Sequence, residues 1–106
     1  LAVALVTTPI YLYLNGFDGG LWIFTLIFAA ATNLSITAGY HRLFSHKSYD
    51  AHPIVKWVYL LIGASAWQGS ALKWSSDHRR HHTHIDGDKD PYNIHNGFWF
   101  AHMGWM

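Results

Sequence analysis

The sequence predicts an all-α membrane protein, a transmembrane helical hairpin followed by cytosolic helices that carry histidine boxes. Three observations lead there. Hydrophobic residues make up 51% of the 106 residues and charged residues only 12%, about half the ~25% usual for soluble domains. Residues 1–40 hold 26 hydrophobic residues and one charge, Asp18, whereas all seven Lys and Arg and all nine His fall in residues 41–106. The apolar runs at the start also have lengths on the scale of a bilayer. The length allows a single domain, divided into a hairpin over 1–40 and a histidine-bearing cytosolic region over 41–106. A net charge of +1 with no basic stripe argues against a nucleic-acid partner. The absence of Cys excludes disulfides, thiolate zinc sites and iron–sulfur clusters.

Taken in order, the run Leu1 to Leu14 would span about 21 Å as a helix, short of a ~30 Å hydrocarbon core. It lacks the basic start and small-residue cleavage site of a signal peptide. It reads as part of a transmembrane helix, and the chain as part of a larger protein. Residues 15–20, Asn-Gly-Phe-Asp-Gly-Gly, form a turn rich in residues that tolerate positive φ. Leu21 to Gly39 follows with 19 residues and no charge, close to the ~20 needed to cross a bilayer. Every Lys and Arg lies after this pair, so the positive-inside rule puts the turn outside and the histidines in the cytoplasm. Thr32, Asn33, Ser35 and Thr37 face a cavity or a neighbouring helix, or mark the exit from lipid. The stretch Ile54 to Ala66 follows Pro53, a residue suited to the first helical position. It has 13 residues with Lys56 inside, in the range of buried or interfacial helices. A single crossing there would also separate the histidines at 41–46 from those at 78–82. It is therefore expected to lie at the membrane surface and to continue through Gln68 and Trp74 into the second histidine cluster.

The histidines carry the chemistry. His41 and His46 are five apart, about 140° around an α-helix. They flank one site only if the helix frays or if the two reach different metals. His78, His81 and His82 sit at i, i+3 and i+4, which places three imidazoles on one helical face. As a solvated surface this arrangement is poor, because three protonated rings that close repel. Imidazole suits zinc, copper, nickel and iron. The zinc-protease signature H-E-x-x-H is excluded because the chain contains no Glu. Residues 86–90, Asp-Gly-Asp-Lys-Asp, begin like a calcium loop but have Pro91 where Gly is needed and Gly97 where the bidentate Glu belongs. They read as a polar turn. Many imidazoles beside membrane helices, with no Cys, point to a nitrogen-rich iron site acting on a lipid-soluble substrate.

Four blocks now make a resemblance specific. Thr37-Ala38-Gly39-Tyr40-His41-Arg42-Leu43-Phe44-Ser45-His46, Trp74-Ser75-Ser76-Asp77-His78-Arg79-Arg80-His81-His82, Asp90-Pro91-Tyr92-Asn93 and the segment 97–105 around Trp99 and His102 resemble the membrane-bound Δ9 fatty-acid desaturases of the stearoyl-CoA type. The likeness covers residues 30–106. It implies half of a four-transmembrane-helix unit under a cytosolic helical cap, and an O2-dependent insertion of a cis double bond into a saturated acyl chain. It also implies two irons held by histidines and an electron donor such as cytochrome b5 or a ferredoxin. His41, His46, His78, His81 and His82 match the first two histidine boxes and would be iron ligands. A third box, H-x-x-H-H, and an Asn that reaches one iron through water would lie beyond Met106. The 106 residues expressed alone are therefore expected to show no turnover. Gln68 and Trp74 match positions that line the bend of the acyl tunnel, and Asp77 matches one that would orient a neighbouring group. Gly69 and Ser76 stand where CoA-using relatives carry an Asn and an Arg. This leaves the acyl carrier open between CoA, acyl carrier protein and a lipid head group. His52, His84, His95 and His102 match no box and read as surface or structural residues. The rivals are a lipid hydroxylase or ketolase on the same scaffold, and a non-catalytic membrane protein binding metal or haem.

Overall fold

The computed structural model describes residues 2–106, all of the regular structure among them being helical. Helix α1 spans Ala2–Asn15 and α2 spans Gly19–Leu34. Between them Gly16 takes φ +75°, and Asp18 caps α2 by accepting from the backbone N–H of Leu21 at 3.1 Å. α2 continues without a break as a π-helix over Ser35–Ser45. The continuous helix Gly19–Ser45 has 27 residues and is, among the described residues, the one long and apolar enough to cross a membrane. It overruns the expected exit at Gly39 and carries His41 on its own last turns. α1 and the next helix, α3 (Pro53–Ala64), are shorter apolar helices. α4 spans Ala71–His84, followed by a 3-10 turn at Ile94–Asn96 and a π turn at Phe100–Gly104.

One expectation fails here. The third helix does not run on into the histidine cluster, because α3 stops at Ala64. Trp67 (φ +58°) and Gly69 (φ +82°) then take left-handed backbone that no α-helix contains. Ser70 starts α4 afresh, its hydroxyl accepting from the Lys73 N–H at 3.2 Å. The break has a use. It lets α4 change direction and, like α3, pack on the π segment.

That segment is the centre of the fold. Tyr40, 1% exposed, and Leu43, 5% exposed, are the buried large side chains. Two glycines permit the close crossing. A Cβ on Gly63 would lie 2.6 Å from Tyr40 Cε1, and one on Gly39 would lie 2.8 Å from Tyr59 Cβ. Small residues at a helix crossing let backbones approach where lipid supplies no hydrophobic drive between helices. α1 is exposed along nearly all of its described length, and α2 and α3 leave Ile23, Phe24, Ile27, Trp57 and Leu61 uncovered. With principal extents of 49 × 39 × 16 Å, the molecule is a thin plate whose apolar sides need lipid or further protein.

Candidate metal centre

The spacing of His41 and His46 is resolved by the winding of the helix. In a π-helix the hydrogen bonds run i→i+5, so residues five apart come round to nearly the same face. The His46 N–H donates to the His41 carbonyl at 3.0 Å. The two imidazoles meet edge to face with centroids 4.6 Å apart. Neither fraying nor separate metals is needed, as an α-helical spacing of about 140° had required. Hydroxyl groups also donate to carbonyls of this segment. The Tyr40 carbonyl accepts from Ser45 Oγ at 2.6 Å and from Ser75 Oγ of α4 at 3.4 Å. The Ala38 carbonyl accepts from the Tyr49 hydroxyl at 2.7 Å.

α4 supplies the opposing pair, His78 and His82, one turn apart on the same face. Nε2 of His78 lies 3.1 Å from Nε2 of His46 and 3.0 Å from Nε2 of His82. One ligand nitrogen from each of His41, His46, His78 and His82 falls within 4.8 Å of all the others. Nitrogens about 2 Å from a common cation are separated by about 3 Å along an edge of its coordination polyhedron. Two of the quartet's separations match such an edge, so these four residues could hold a metal ion. His78 is suited to that duty. Burial, followed by the charges of His41, His82, His46 and His81, lowers its pKa to about 4, so its ring stays neutral near neutral pH. The fifth matched histidine, His81, stands outside the quartet. Its Nδ1 is 2.9 Å from both carboxylate oxygens of Asp90.

No family model matches the chain. Curated proteins do. The chain is 52% identical over 84 residues to a probable acyl-CoA desaturase of Schizosaccharomyces pombe, a match covering 79% of the chain. It is 44% identical to the Delta(9)-fatty-acid desaturase fat-6 of Caenorhabditis elegans, again over 79% of the chain. It is 38% identical to the sn-1 stearoyl-lipid 9-desaturase of Anabaena variabilis, over 76% of the chain. The chain belongs to the fatty-acyl desaturases. It spans 18%, 25% and 30% of the lengths of those three relatives.

Gln68, Trp74 and Asp77 lie on or just before α4, the helix that carries His78 and His82. The Trp74 indole stacks on His78 at 4.8 Å and 19°, and its Nε1–H donates to Gln68 Oε1 at 2.9 Å. Gln68 also lines a cavity of about 260 Å³ with Thr32, Asn33, Ile36 and Ala66. Of the four late polar residues, Thr32 and Asn33 line that cavity. The Asn33 amide also donates back to the Ala29 carbonyl at 3.0 Å. Asp77 is 8% exposed and pairs with Lys73 at 2.8 Å and Arg80 at 2.5 Å. Burial pushes its carboxyl up, but those two hydrogen bonds and charges outweigh it and hold the pKa below the usual value. Asp77 thus orients Arg80 and Lys73, and the carboxylate that reaches a histidine is Asp90.

Asp90 was not predicted from the sequence. Read as a polar turn, residues 86–90 give Asp90 no role, although an acidic turn ending in Asp-Pro just downstream of three histidines carries the signal. The side chain of Asp90 is fully buried. Burial raises its pKa, and the N–H groups of Tyr92 and Asp86 together with His81 lower it further than burial raises it. Tyr92 packs against His81 at 5.3 Å and Trp105 at 4.8 Å. Burial, then the charges of Asp77 and Asp90, pushes its phenol up to about 12. Of the histidines outside the boxes, His52 caps α3 and His102 bonds the Phe98 carbonyl. Neither these nor His84 and His95 join the quartet.

Proposed function

We propose that the protein containing this chain is an O2-dependent desaturase that inserts a cis double bond, at Δ9, into a long-chain saturated acyl substrate. The observation that carries this reading is the convergence of two histidine pairs, from separate helices, on one point beside a hydrogen-bonded Trp74–Gln68 pair. His41, His46, His78 and His82 would hold one iron, and His81 would contribute to a second. The overall reaction balances with O2 as oxidant. Two hydrogens leave the acyl chain, a donor such as cytochrome b5 or a ferredoxin supplies two electrons with two protons taken up, and two waters form. Bound iron and O2 supply the oxidation that an unactivated methylene requires, since such a C–H bond offers acid–base catalysis no handle.

The chain's own residues do the rest. Neutral imidazoles donate lone pairs without adding negative charge. The Trp74 ring, held by Gln68 and stacked on His78, forms a rigid wall where the acyl chain would bend beside the metal. A wall of fixed position selects the carbons that react. The helix Gly19–Ser45 would anchor the site in the bilayer within a four-helix membrane unit, its histidine end in the cytoplasm. Substrates of the named relatives include acyl-CoA and a stearoyl lipid. Gly69 and Ser76, at the positions where CoA users carry polar contacts, keep both carriers in the test.

Membranes containing the complete protein, given an electron donor, O2 and either stearoyl-CoA or stearoyl lipid, should yield a cis-Δ9 product by mass spectrometry. Iron chelation should abolish it and iron should restore it. A hydroxylated product in place of the alkene would establish the hydroxylase instead, and a Soret band in the purified protein would establish a haem protein.

A further inference from the structure

Asp90 is held in a way that a surface turn does not require. Its Oδ1 accepts from the Tyr92 N–H and its Oδ2 from the Asp86 N–H, each at 2.8 Å. Asn93 closes the same loop by donating Nδ2 to the Gly87 carbonyl at 2.9 Å. The loop therefore clamps a fully buried carboxylate against one ring nitrogen of one histidine, His81, with both oxygens 2.9 Å from Nδ1. A carboxylate is an acceptor only, so Nδ1 must carry the hydrogen, and in the neutral ring Nε2 then carries the lone pair.

We propose that Asp90 is a positioning residue for the iron centre, acting through His81: it fixes the tautomer and orientation of that ring so that Nε2 is presented to metal. This rests on the desaturase reading above and adds a residue to it. Hydrogen-bonding partners behind ligating histidines set tautomer and basicity, and their loss typically costs about 10-fold to 100-fold in metal affinity. Asp90 contacts no substrate in this account. Its effect is transmitted by one hydrogen-bonded pair.

The experiment measures iron per folded protein and its release to a chelator, using the monodisperse fraction of the complete desaturase. His81→Asn keeps an N–H near the position of Nδ1 and removes Nε2, so it should fold and release iron at least about 10-fold faster. Asp90→Asn should do the same. The double variant, His81→Ala with Asp90→Asn, should release iron no faster than His81→Ala alone, because both changes remove one pathway. A merely structural Asp90 would give additive losses, and that result overturns the proposal. So does an Asp90→Asn protein that keeps iron as the wild type does. His46→Ala separates the two levels of the argument. If it too keeps its iron, the metal centre itself is wrong; if it loses iron while Asp90→Asn does not, only the role of Asp90 is wrong. Should Asp90→Asn fail to accumulate, nitrogen NMR of the zinc-loaded wild type decides, with the His81 signal identified by its loss in His81→Asn. An Nδ1–H tautomer is expected, and an Nε2–H tautomer overturns the assignment.

Discussion

At the scale of single residues, the quartet sorts the nine histidines by geometry. Replacing His46 removes a nitrogen 3.1 Å from its neighbour in His78, and no carboxylate or thiol of the quartet can replace it. His46→Ala in the complete protein should therefore lower iron retention and desaturation by more than about 100-fold, above the loss expected from supporting contacts alone. His95 is exposed and stands outside the quartet, so His95→Ala should keep most of both. Iron content and product yield, measured side by side, check the pair; equal losses would mean that the residues were wrongly sorted. A glycine gives the second prediction. Gly63→Ala places a methyl 2.6 Å from the ring of Tyr40, the most buried side chain. Overpacking of this kind costs about 1–3 kcal/mol. The thermal midpoint of the detergent-purified protein should therefore fall, and an unchanged midpoint would mean that the close approach of α3 to the Tyr40 ring is not required.

At the scale of elements, the π segment does what an α-helix of the same sequence would not. It brings His41 and His46 to one face and turns Tyr40 inward between α3 and α4. Its carbonyl at Tyr40 depends on two buried hydroxyls, Ser45 and Ser75. Ser45→Ala should cost about 1 kcal/mol and loosen the winding, so that iron leaves faster; Ser75→Ala, which removes a longer contact of 3.4 Å, should act in the same direction with a smaller effect. Thr37→Ala is the control, because its exposed hydroxyl bonds the Asn33 carbonyl one turn back and supports no contact with α4. Chelator-driven iron release should rank both serine variants above the threonine variant. The same element shows where reading by period fails. Five-residue spacing was assessed against 3.6 residues per turn, and a single assumption about winding put the two rings on different faces.

At the scale of the whole molecule, the charge asymmetry predicts an orientation. The 15–20 turn has Asp18 as its one charge, and every Lys and Arg follows the long helix. The turn should therefore lie outside and α4 in the cytoplasm. A membrane-impermeant thiol reagent applied to intact cells should modify Asp18→Cys and spare Ser76→Cys, with Ser76→Cys modified after permeabilisation. Labelling of both in intact cells would overturn the hairpin reading. The exposed apolar sides of α1, α2 and α3 agree with this setting, since lipid or further protein must cover them.

What the sequence determined by itself was the set of residue types and their order along the chain. Composition and charge placement called for membrane helices. Nine histidines with no Cys and no Glu restricted the metal chemistry, and four ordered blocks pointed to the desaturases. These are properties of residue type and order, which survive without coordinates. The tertiary structure decided what depends on backbone path. The π winding joined His41 to His46, and the break at 65–70 turned α4 back across them. The loop at 86–93 brought Asp90 to His81 across nine positions of sequence. Each of these depends on a few φ and ψ angles and on hydrogen bonds between distant segments, such as Ser75 to the Tyr40 carbonyl. Local propensity carries no information about such contacts, because their energy exists only when both segments are already in place.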